Sequence, residues 1–391
     1  MNYLPNIINN LHHISCNLKT LANHVQDIHS GAYDNDICSD LSSIASELNN
    51  TITTIQNFTL ANPEPLTNEL SKLTTSIEQL SSTFSNIVTE CSDNLIVNCI
   101  DTSYLSLVNN IINNGYDTDN TRMLPMQCIR ANNIAESFPV VQHKKLFVKG
   151  VWEELMFFLH GYRDVRILQS KGVHIWDANA DPEYKKLHNK HLEDYDLGPI
   201  YGCQWRNFNG KQCDNNQCDH HGCNNHCDQL QSIVNNIKNH SLSRRLFMSA
   251  WNPQQLDEMV LPPCHVSYHF IPYIKNDVYT VDLMVYQRSA DVMLGLPFNI
   301  ASSSFLLLLV CKYCGVSAGD VCICIGNAHI YKEHFKSLNK VKEATNNIKY
   351  SNVTATITGD LSGSFDQFID SVKYQLHNYN VTNTIKFDLV V

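Results

Sequence analysis

Residues 251–265 read Trp251-Asn252-Pro253-Gln254-Gln255-Leu256-Asp257-Glu258-Met259-Val260-Leu261-Pro262-Pro263-Cys264-His265, and they follow a predicted short strand at 245–250. The paired prolines favour a turn, and a turn after a strand can present the Cys264 thiol to a cavity instead of burying it. A cysteine without such a setting is usually only a small buried side chain. Here nearby arginines are expected to lower the pKa of the thiol and raise its thiolate fraction. The sequence therefore predicts that Cys264 is a nucleophile.

Four further stretches extend the pattern on both sides of this cysteine. They are Gly172-Val173-His174-Ile175-Trp176-Asp177-Ala178-Asn179, Asp196-Leu197-Gly198-Pro199-Ile200-Tyr201-Gly202-Cys203-Gln204-Trp205-Arg206, Tyr286-Gln287-Arg288-Ser289-Ala290-Asp291 and Leu294-Gly295-Leu296-Pro297-Phe298-Asn299-Ile300-Ala301-Ser302. In order and spacing they resemble the signature blocks of the thymidylate synthase family. The resemblance implies an α+β fold with a large mixed β-sheet and flanking helices, over residues 101–391.

Hydrophobic periodicity within 101–391 also predicts mixed secondary structure. Helical spacing is found at 104–115, where a glycine marks the stop, at 149–159, and in a buried run at 298–313. Alternation of apolar and polar residues predicts strands at 266–274, 280–287 and 384–390.

Residues 1–100 have a different composition, rich in Asn, Ser and Thr, with Leu and Ile at helical spacings. The stretch Asn62-Pro63-Glu64-Pro65 divides them into two segments, so we expect a helical extension. It could be a packing or oligomerisation arm, a module that binds an unknown partner, or a disordered tail. A glycine-rich phosphate loop is not found there, so a fused dihydrofolate reductase is not expected.

Overall composition limits the possible function classes. The chain has 391 residues, 43% of them hydrophobic, and a formal net charge of −10, which argues against bulk nucleic-acid binding but allows a local basic pocket. A run of about 18 apolar residues and a secretory signal are not found, so no membrane span is expected. Fifteen scattered cysteines without a signal favour a reducing compartment, and we predict a cytoplasmic protein, or a nuclear one in a eukaryotic cell.

The resemblance also implies the reaction. In this family the cysteine adds to C6 of the uracil ring of dUMP, and 5,10-methylenetetrahydrofolate supplies a carbon unit and a hydride, giving dTMP and dihydrofolate. Asn299 can offer both a donor and an acceptor to the uracil edge. Glu154, on the apolar face of a helix, should have a raised pKa suited to proton relay. The implied catalytic residues are Cys264, His265, Tyr201, Glu154 and Asn299.

Binding residues for dUMP follow from the same blocks. Guanidinium groups bind phosphate in a bidentate manner, and the family's arginine pair reaches across from a second subunit, which implies a homodimer. Arg122 stands one residue from the place expected for another phosphate ligand, and its role stays open. The stretch Gly326-Asn327-Ala328-His329-Ile330-Tyr331 resembles the family's ribose-binding block. The implied residues are Arg122, Arg244, Arg245, Arg288, Ser289, Ala290, Asp291, Asn299, His329 and Tyr331.

The folate would stack on apolar side chains beside the nucleotide, and a C-terminus that becomes ordered would exclude water. The implied residues are Ile175, Trp176, Asn179, Asp291, Gly295, Leu296, Phe298, Val390 and Val391. Trp176 favours a synthase over a dUMP hydroxymethylase, whereas Phe157, the stretch Tyr162-Arg163-Asp164 and His269 depart from the family pattern. A non-catalytic scaffold is the third hypothesis.

An insert at 213–227 contains Cys213, Cys218, Cys223 and Cys227 together with histidines. Four such side chains could bind zinc, but the Cys-x-x-Cys pairs of structural zinc sites are not found. We therefore expect a metal-free loop and no metal in the reaction. Cys311 and Cys314 lie in a predicted buried helix and are expected to pack rather than to react.

Overall fold

The protein is described here from a computed structural model. It describes residues 100–188, 191–209, 227–346 and 350–387, and four single helical residues at 46, 50, 53 and 57. The chain divides into two compact units, Met1–Val97 and Asn98–Val391. Almost all described residues belong to the second unit, so the predicted helical extension lies outside them.

A six-stranded mixed sheet forms the centre of this unit, with the strand order β1-β2-β6-β5-β4-β3. Strands β5 and β6 are parallel, and all other neighbours are antiparallel. The predicted α+β fold with a large mixed sheet is confirmed, as are the strands predicted at 266–274 and 280–287. The strands are β1 (Tyr116–Asp117), β2 (Thr121–Ala131), β3 (Phe247–Ser249), β4 (His265–Lys275), β5 (Val278–Asp291) and β6 (Ser317–Tyr331).

Helix α8 (Gly295–Cys314) makes the crossover that parallel strands require. It packs against α2 (Val148–Leu159), β5 and β6, and Gly315, at φ 70°, ends it. By length and composition it could cross a membrane, but 67% of its apolar window is buried inside the protein, as in the core helix of a packed domain. Cys311 and Cys314 are buried in it, as predicted.

Helix α1 (Ile100–Asn114) packs on β2 and β6, and Gly115 follows its last residue. The helices predicted at 104–115, 149–159 and 298–313 are therefore confirmed. Shorter elements complete the unit: helices α3 (Arg166–Ser170), α4 (Asp177–Ala180), α5 (Pro182–Leu187), α6 (Tyr201–Asn207), α7 (Gln229–Lys238), α9 (Leu338–Asn346) and α10 (Phe365–Ser371), 3-10 turns at Leu256–Glu258 and Lys332–Ser337, and a hairpin of β7 (Thr354–Thr358) and β8 (Lys373–His377).

The prediction of a strand at 384–390 is wrong for residues 384–387, the part of it that the structure describes, because these residues are irregular. Contacts with the segment before α2 hold this region instead of a sheet partner. The Lys145 N–H donates to the Asn383 carbonyl at 2.7 Å, and the Tyr379 hydroxyl accepts from the Leu146 N–H at 2.9 Å. Apolar alternation alone did not reveal this docking.

Gly202 allows α6 to lie directly against α2. A Cβ at this position would lie 2.2 Å from the carbonyl oxygen of Phe158, and a backbone atom inside a helix cannot move aside. We expect Gly202→Ala to destabilise the protein by about 2–3 kcal/mol, the usual cost of overpacking, measured by urea unfolding.

Gly150→Ala is the matched control for this change. The three atoms nearest to its added Cβ all belong to the ring of Phe147, at 2.5 Å and beyond, and Phe147 is a side chain that is 44% exposed and not a backbone atom within a helix. Because alanine favours a helix over glycine by about 1 kcal/mol, stability should stay nearly unchanged. Equal unfolding midpoints for the two variants would contradict the assigned contact.

Candidate active site

Cys264 lies in the turn that leads into β4, and hydrogen bonds fix its backbone on both sides. Its N–H donates to the Tyr201 hydroxyl at 2.9 Å, and its carbonyl accepts from the Arg288 N–H at 2.9 Å. The paired prolines thus place Cys264 in a turn, as predicted, where its side chain is only partly exposed.

The pKa of Cys264 is raised, which corrects the expectation that arginines would lower it. Burial disfavours the thiolate, while the charge of Arg288 and a hydrogen bond with Tyr201 only partly offset this effect. The Arg288 guanidinium is itself occupied, since it donates to the carbonyls of Pro263 at 3.0 Å and Pro262 at 2.9 Å. The sequence showed the neighbouring charge but not the depth of burial.

The ends of β5 and β6 bring the predicted ribose and phosphate residues together. The parallel register pairs Ser289 with Asn327 and Asp291 with His329. Ser289 Oγ lies 3.4 Å from His329 Nδ1, and the rings of His329 and Tyr331 are 5.2 Å apart. Ala290, which lies between Ser289 and Asp291 in the sequence, is buried. Burial lowers the pKa of His329, which favours a neutral imidazole that can exchange hydrogen bonds with a hydroxyl.

Asn299 lies near the start of α8 and is held by a residue that sequence reasoning missed. Gln287 is fully buried, and its Nε2 donates to Asn299 Oδ1 at 2.9 Å. The sequence contained a clue to this role, because Gln287 lies inside the Tyr286–Asp291 block.

His265, next to Cys264, contacts the Tyr268 hydroxyl at 3.0 Å, and burial lowers the pKa of His265 to about 4. It is therefore neutral at physiological pH.

Glu154 projects from α2 and accepts a hydrogen bond from Trp176 Nε1 at 2.7 Å. Burial raises the pKa of Glu154 to about 7, which confirms the expected direction. The adjacent Glu153 instead pairs with Lys171 at 2.7 Å. Burial raises the pKa of the Tyr201 hydroxyl, and the nearby Cys264 and Glu154 raise it further. Tyr201 contacts both the Cys264 backbone, at 2.9 Å, and the Trp176 ring, whose centre is 6.2 Å away.

The remaining predicted phosphate ligands lie in two different settings. The Arg122 Nε donates to the carbonyls of Ile111 at 3.1 Å and Ile112 at 3.0 Å, and its Nη1 pairs with Asp117 at 2.9 Å. These contacts occupy the guanidinium at the end of α1, so a role in phosphate binding would require them to break. Arg244 and Arg245 are exposed in the turn before β3.

The predicted folate residues surround the start of α8 and α4. Trp176 is 7% exposed, and Leu296 is fully buried. Asp291 Oδ1 accepts from the Met293 N–H at 3.0 Å and thereby shapes the turn before α8. Ile175, Asn179, Gly295 and Phe298 are partly exposed, whereas Val390 and Val391 lie outside the described residues.

Lys144 is a second residue that sequence reasoning missed. It is 5% exposed, its Nζ donates to the Met293 carbonyl, and it lies 4.7 Å from the centre of the Phe387 ring. Burial lowers the pKa of Lys144 to about 8. A buried cation between the start of α8 and the C-terminal segment can attract an anionic group there. The sequence feature that could have indicated Lys144 is the polar run at 142–145, which comes directly before the apolar helix α2.

Two further features lie apart from this site. Of the Cys213–Cys227 insert only Cys227 is described, and it is exposed, so the metal-free loop stays a prediction. A cavity of about 680 Å³ lies between α9 and residues 380–385, and none of the predicted site residues lines it.

Comparison with known proteins identifies a consistent set of relatives. A family model described as thymidylate synthase matches residues 102–391. The bifunctional dihydrofolate reductase-thymidylate synthase of Zea mays is 41% identical over 242 residues, which cover 61% of this chain and 45% of the maize protein. The protein of the same name from Paramecium tetraurelia is 36% identical over 294 residues, covering 74% of this chain and 61% of the relative. That of Plasmodium berghei is 35% identical over 293 residues, covering 73% and 48%. The chain thus spans about half the length of the curated relatives it matches.

Proposed function

Because this chain belongs to the thymidylate synthase family, we propose that it converts dUMP to dTMP by reductive methylation. The co-substrate is 5,10-methylenetetrahydrofolate, which supplies the carbon unit and the hydride and is released as dihydrofolate. One observation carries the proposal: the Tyr201 hydroxyl accepts from the Cys264 N–H at 2.9 Å, the Tyr201 ring lies 6.2 Å from the Trp176 ring, and Trp176 donates to Glu154 at 2.7 Å. A chain of contacts thereby joins the nucleophile to a titratable acid–base group.

The first step is covalent addition of Cys264 to the uracil ring. A bond forms between Sγ and C6, and the electron pair of the C5–C6 double bond moves toward C5 and O4. Asn299, held by Gln287 at 2.9 Å, is placed to hydrogen-bond the uracil edge. Bound phosphate would bring a dianion near Arg288, and the guanidinium would bind it by giving up its hydrogen bonds to the Pro262 and Pro263 carbonyls. Cys264 then needs only a transient thiolate, stabilised by the same arginine.

Glu154 accepts the proton that leaves C5 after carbon transfer and passes it on. With its pKa at about 7, the carboxyl group exists in both protonation states near neutral pH, which suits a group that accepts and returns protons. The hydrogen bond of 2.7 Å from the Trp176 N–H fixes the orientation of the carboxyl group. Trp176 and Phe298 offer apolar surface to the folate ring, and Asn179 and Asp291 offer polar contacts.

A spectrophotometric assay tests this function directly. With dUMP and methylenetetrahydrofolate, we expect an absorbance change from dihydrofolate formation together with tritium release from C5-labelled dUMP. Tritium release without dihydrofolate would identify a dUMP hydroxymethylase. If neither signal is detected, the protein is a non-catalytic scaffold and the proposal is wrong.

A homodimer with a shared site is the second part of the proposal. Arg244 and Arg245 are exposed, and no ion pair involving either is found within the described part of the chain. The sheet face opposite the helices presents large apolar side chains, with Phe247 52%, Met284 40% and Tyr286 45% exposed. Exposed apolar surface of this kind supports an interface with a second copy, from which the two arginines could reach the partner's phosphate site.

Mixing two inactive variants tests the shared site. Arg245→Ala homodimers lack the donated arginine and Cys264→Ala homodimers lack the nucleophile, so each should be nearly inactive. In a mixed dimer one of the two sites regains both groups, so random exchange should restore about a quarter of wild-type activity. Two Cys264→Ala preparations mixed together are the control. If mixing restores no activity although exchange is demonstrated, the arginine acts within its own subunit.

Cytoplasmic or nuclear residence is also proposed. All eight cysteines of the described part of the chain are free thiols, which supports a reducing compartment. A partner for residues 1–100 stays a prediction, since that region lies outside the described residues.

A further inference from the structure

A buried carboxylate at the start of α1 has no part in the proposed reaction. Asp101 stands in the first turn of this helix, and its side chain is only 1% exposed. Burial of a carboxylate is strongly destabilising unless hydrogen bonds compensate for the lost water. The groups that bind this carboxylate therefore indicate what it holds in place.

All three hydrogen-bonding partners of Asp101 belong to the segment before α2. Its Oδ2 accepts from the Gln142 N–H at 2.8 Å, and its Oδ1 accepts from the His143 N–H at 3.0 Å. The same Oδ1 lies 2.5 Å from His143 Nδ1. Hydrogen bonds to an ionised acceptor are strong, and two of these come from the backbone. Asp101 thus fixes the path of the chain at 142–143.

The ring of His143 is a fixed donor to this carboxylate. It is fully buried and stacks on the ring of Tyr104, with centres 5.0 Å apart and 17° between the planes. Its Nε2 has no hydrogen-bond partner among the residues that the structure describes. A proton on Nε2 would leave a buried donor unpaired, so the proton is on Nδ1, where Asp101 accepts it.

Residues 141–146, called the docking strip below, also hold the C-terminal segment 379–387. The side chains of Tyr379 and Asn383 and the Asn383 carbonyl make four hydrogen bonds of 2.7 to 3.2 Å to the strip. Their partners are the Val141 carbonyl, the His143 carbonyl, the Lys145 N–H and the Leu146 N–H. The strip is therefore bonded to α1 through Asp101 and to the C-terminal segment through these four groups.

The docking strip also carries Lys144, the buried cation beside the start of α8. Its Nζ donates to the Met293 carbonyl and lies 4.7 Å from the centre of the Phe387 ring. Burial lowers the pKa of Lys144 to about 8, and the charges of Asp291 and Asp101 partly offset this lowering. Asp101 thus helps to keep Lys144 charged as well as in place.

We propose that Asp101 is a positioning residue for the folate side of the active site, because it holds the docking strip against which the C-terminal segment packs. This inference rests on the proposed function, in which the C-terminus closes over the folate. The proposed ribose and phosphate ligands Ser289 and His329 lie on β5 and β6, whereas Asp101 bonds to the strip. Its loss should therefore weaken the use of folate and leave nucleotide binding intact.

Asp101→Asn is the first test, since an amide has one acceptor oxygen where the carboxylate has two. Its NH₂ group would face one of the N–H donors of Gln142 and His143. The KM for methylenetetrahydrofolate should rise at least about tenfold, the usual effect of losing hydrogen bonds to a charged group, while the dUMP dissociation constant changes less than about threefold. Unchanged KM for the folate in a folded variant would overturn the proposal.

The pH profile separates positioning from a purely structural role. Without the charge of Asp101 the pKa of Lys144 should fall further below its present value of about 8, so Lys144 loses its proton at a lower pH. Because the folate is an anion, its KM should then begin to rise at a lower pH in Asp101→Asn than in the wild type. Identical profiles would contradict the electrostatic part of the role.

Val108→Ala is the control for lost stability. Val108 is 3% exposed on the same helix, about 10 Å along its axis from Asp101. The cavity should lower the urea midpoint without disturbing the docking strip, so the KM for the folate should stay at its wild-type value. A rise as large as that of Asp101→Asn would assign the effect to general destabilisation and refute the positioning role.

A pair of variants at His143 keeps the test valid if Asp101→Asn does not fold. In His143→Asn the amide NH₂ can replace Nδ1–H as a donor to Asp101, whereas His143→Leu offers no donor. His143→Leu should raise the KM for the folate, and His143→Asn should stay near wild type. Equal values for the two variants would show that the donor to Asp101 has no part in folate use.

Hydrogen–deuterium exchange tests the contact independently of turnover. In Asp101→Asn the amides of the docking strip and of residues 379–385 should exchange faster than in the wild type, since both depend on the same carboxylate. Faster exchange supports the inference even in a protein that forms no dihydrofolate, a result that would refute the proposed function alone. Unchanged exchange overturns the inference even if the wild-type enzyme is active.

Discussion

Cys264→Ala is expected to abolish dTMP formation while leaving dUMP binding largely intact. Removing a covalent nucleophile costs on the order of 10⁴- to 10⁶-fold in turnover, because the bond between Sγ and C6 can no longer form. Binding should persist, since the proposed phosphate and ribose ligands Arg288, Ser289 and His329 remain. Dihydrofolate absorbance measures turnover, and calorimetry measures dUMP affinity.

Cys227→Ala is the control for this prediction, because Cys227 is an exposed thiol outside the site. It should have wild-type turnover. A Cys264→Ala enzyme with more than a few per cent of wild-type activity would refute the nucleophile assignment. Covalent labelling offers a second check: 5-fluoro-dUMP with methylenetetrahydrofolate should add to the wild-type protein and not to the variant.

Glu154→Gln has the second largest expected effect, a loss of about 10²- to 10⁴-fold in kcat, as is typical for removal of a general acid–base group. The amide keeps the size and the contact with Trp176 but cannot transfer the proton. Glu153→Gln is the matched control, since its side chain pairs with Lys171 at 2.7 Å instead of facing the pocket. It should change kcat by less than about threefold, as for a surface ion pair.

The same pair of variants tests the raised pKa through stability. Folding raises the pKa of Glu154 from 4.5 to about 7, so the folded state holds a proton that the unfolded state has already lost. Its contribution to stability is fully present below pH 4.5 and is lost as pH rises through about 7. Between pH 5 and pH 8 the wild type should therefore lose stability relative to Glu154→Gln, measured as the difference in Tm.

In the difference between wild type and Glu154→Gln, the pH-dependent contributions to stability from groups that titrate in both proteins, such as His265, cancel. Glu153→Gln should show the wild-type pH dependence. If the difference in Tm between wild type and Glu154→Gln is the same at both pH values, burial does not raise the carboxyl pKa as described.

The amino-acid sequence alone determined the features that short contiguous stretches encode. The turn at Pro262 and Pro263 places Cys264, and the alternation in β4 and β5 defines two strands of the sheet. The family resemblance gave the site residues, and the structure brings Cys264, Tyr201, Glu154 and Asn299 into one region. Local patterns are reliable here because turn geometry and periodic burial depend on neighbouring residues.

Only the tertiary structure decided which distant groups meet and how deeply they are buried. The hydrogen bond from Gln287 to Asn299, the occupied guanidinium of Arg122, and the three donors that converge on Asp101 all depend on strand register and helix packing. The raised pKa of Cys264 depends on desolvation, which is a property of the packed pocket and not of the neighbouring charges that a sequence displays. The irregular segment at 384–387 depends on packing in the same way, because Phe387 lies against Lys144, and the preceding Tyr379 and Asn383 donate to the carbonyls of Val141 and His143, more than two hundred residues earlier in the chain.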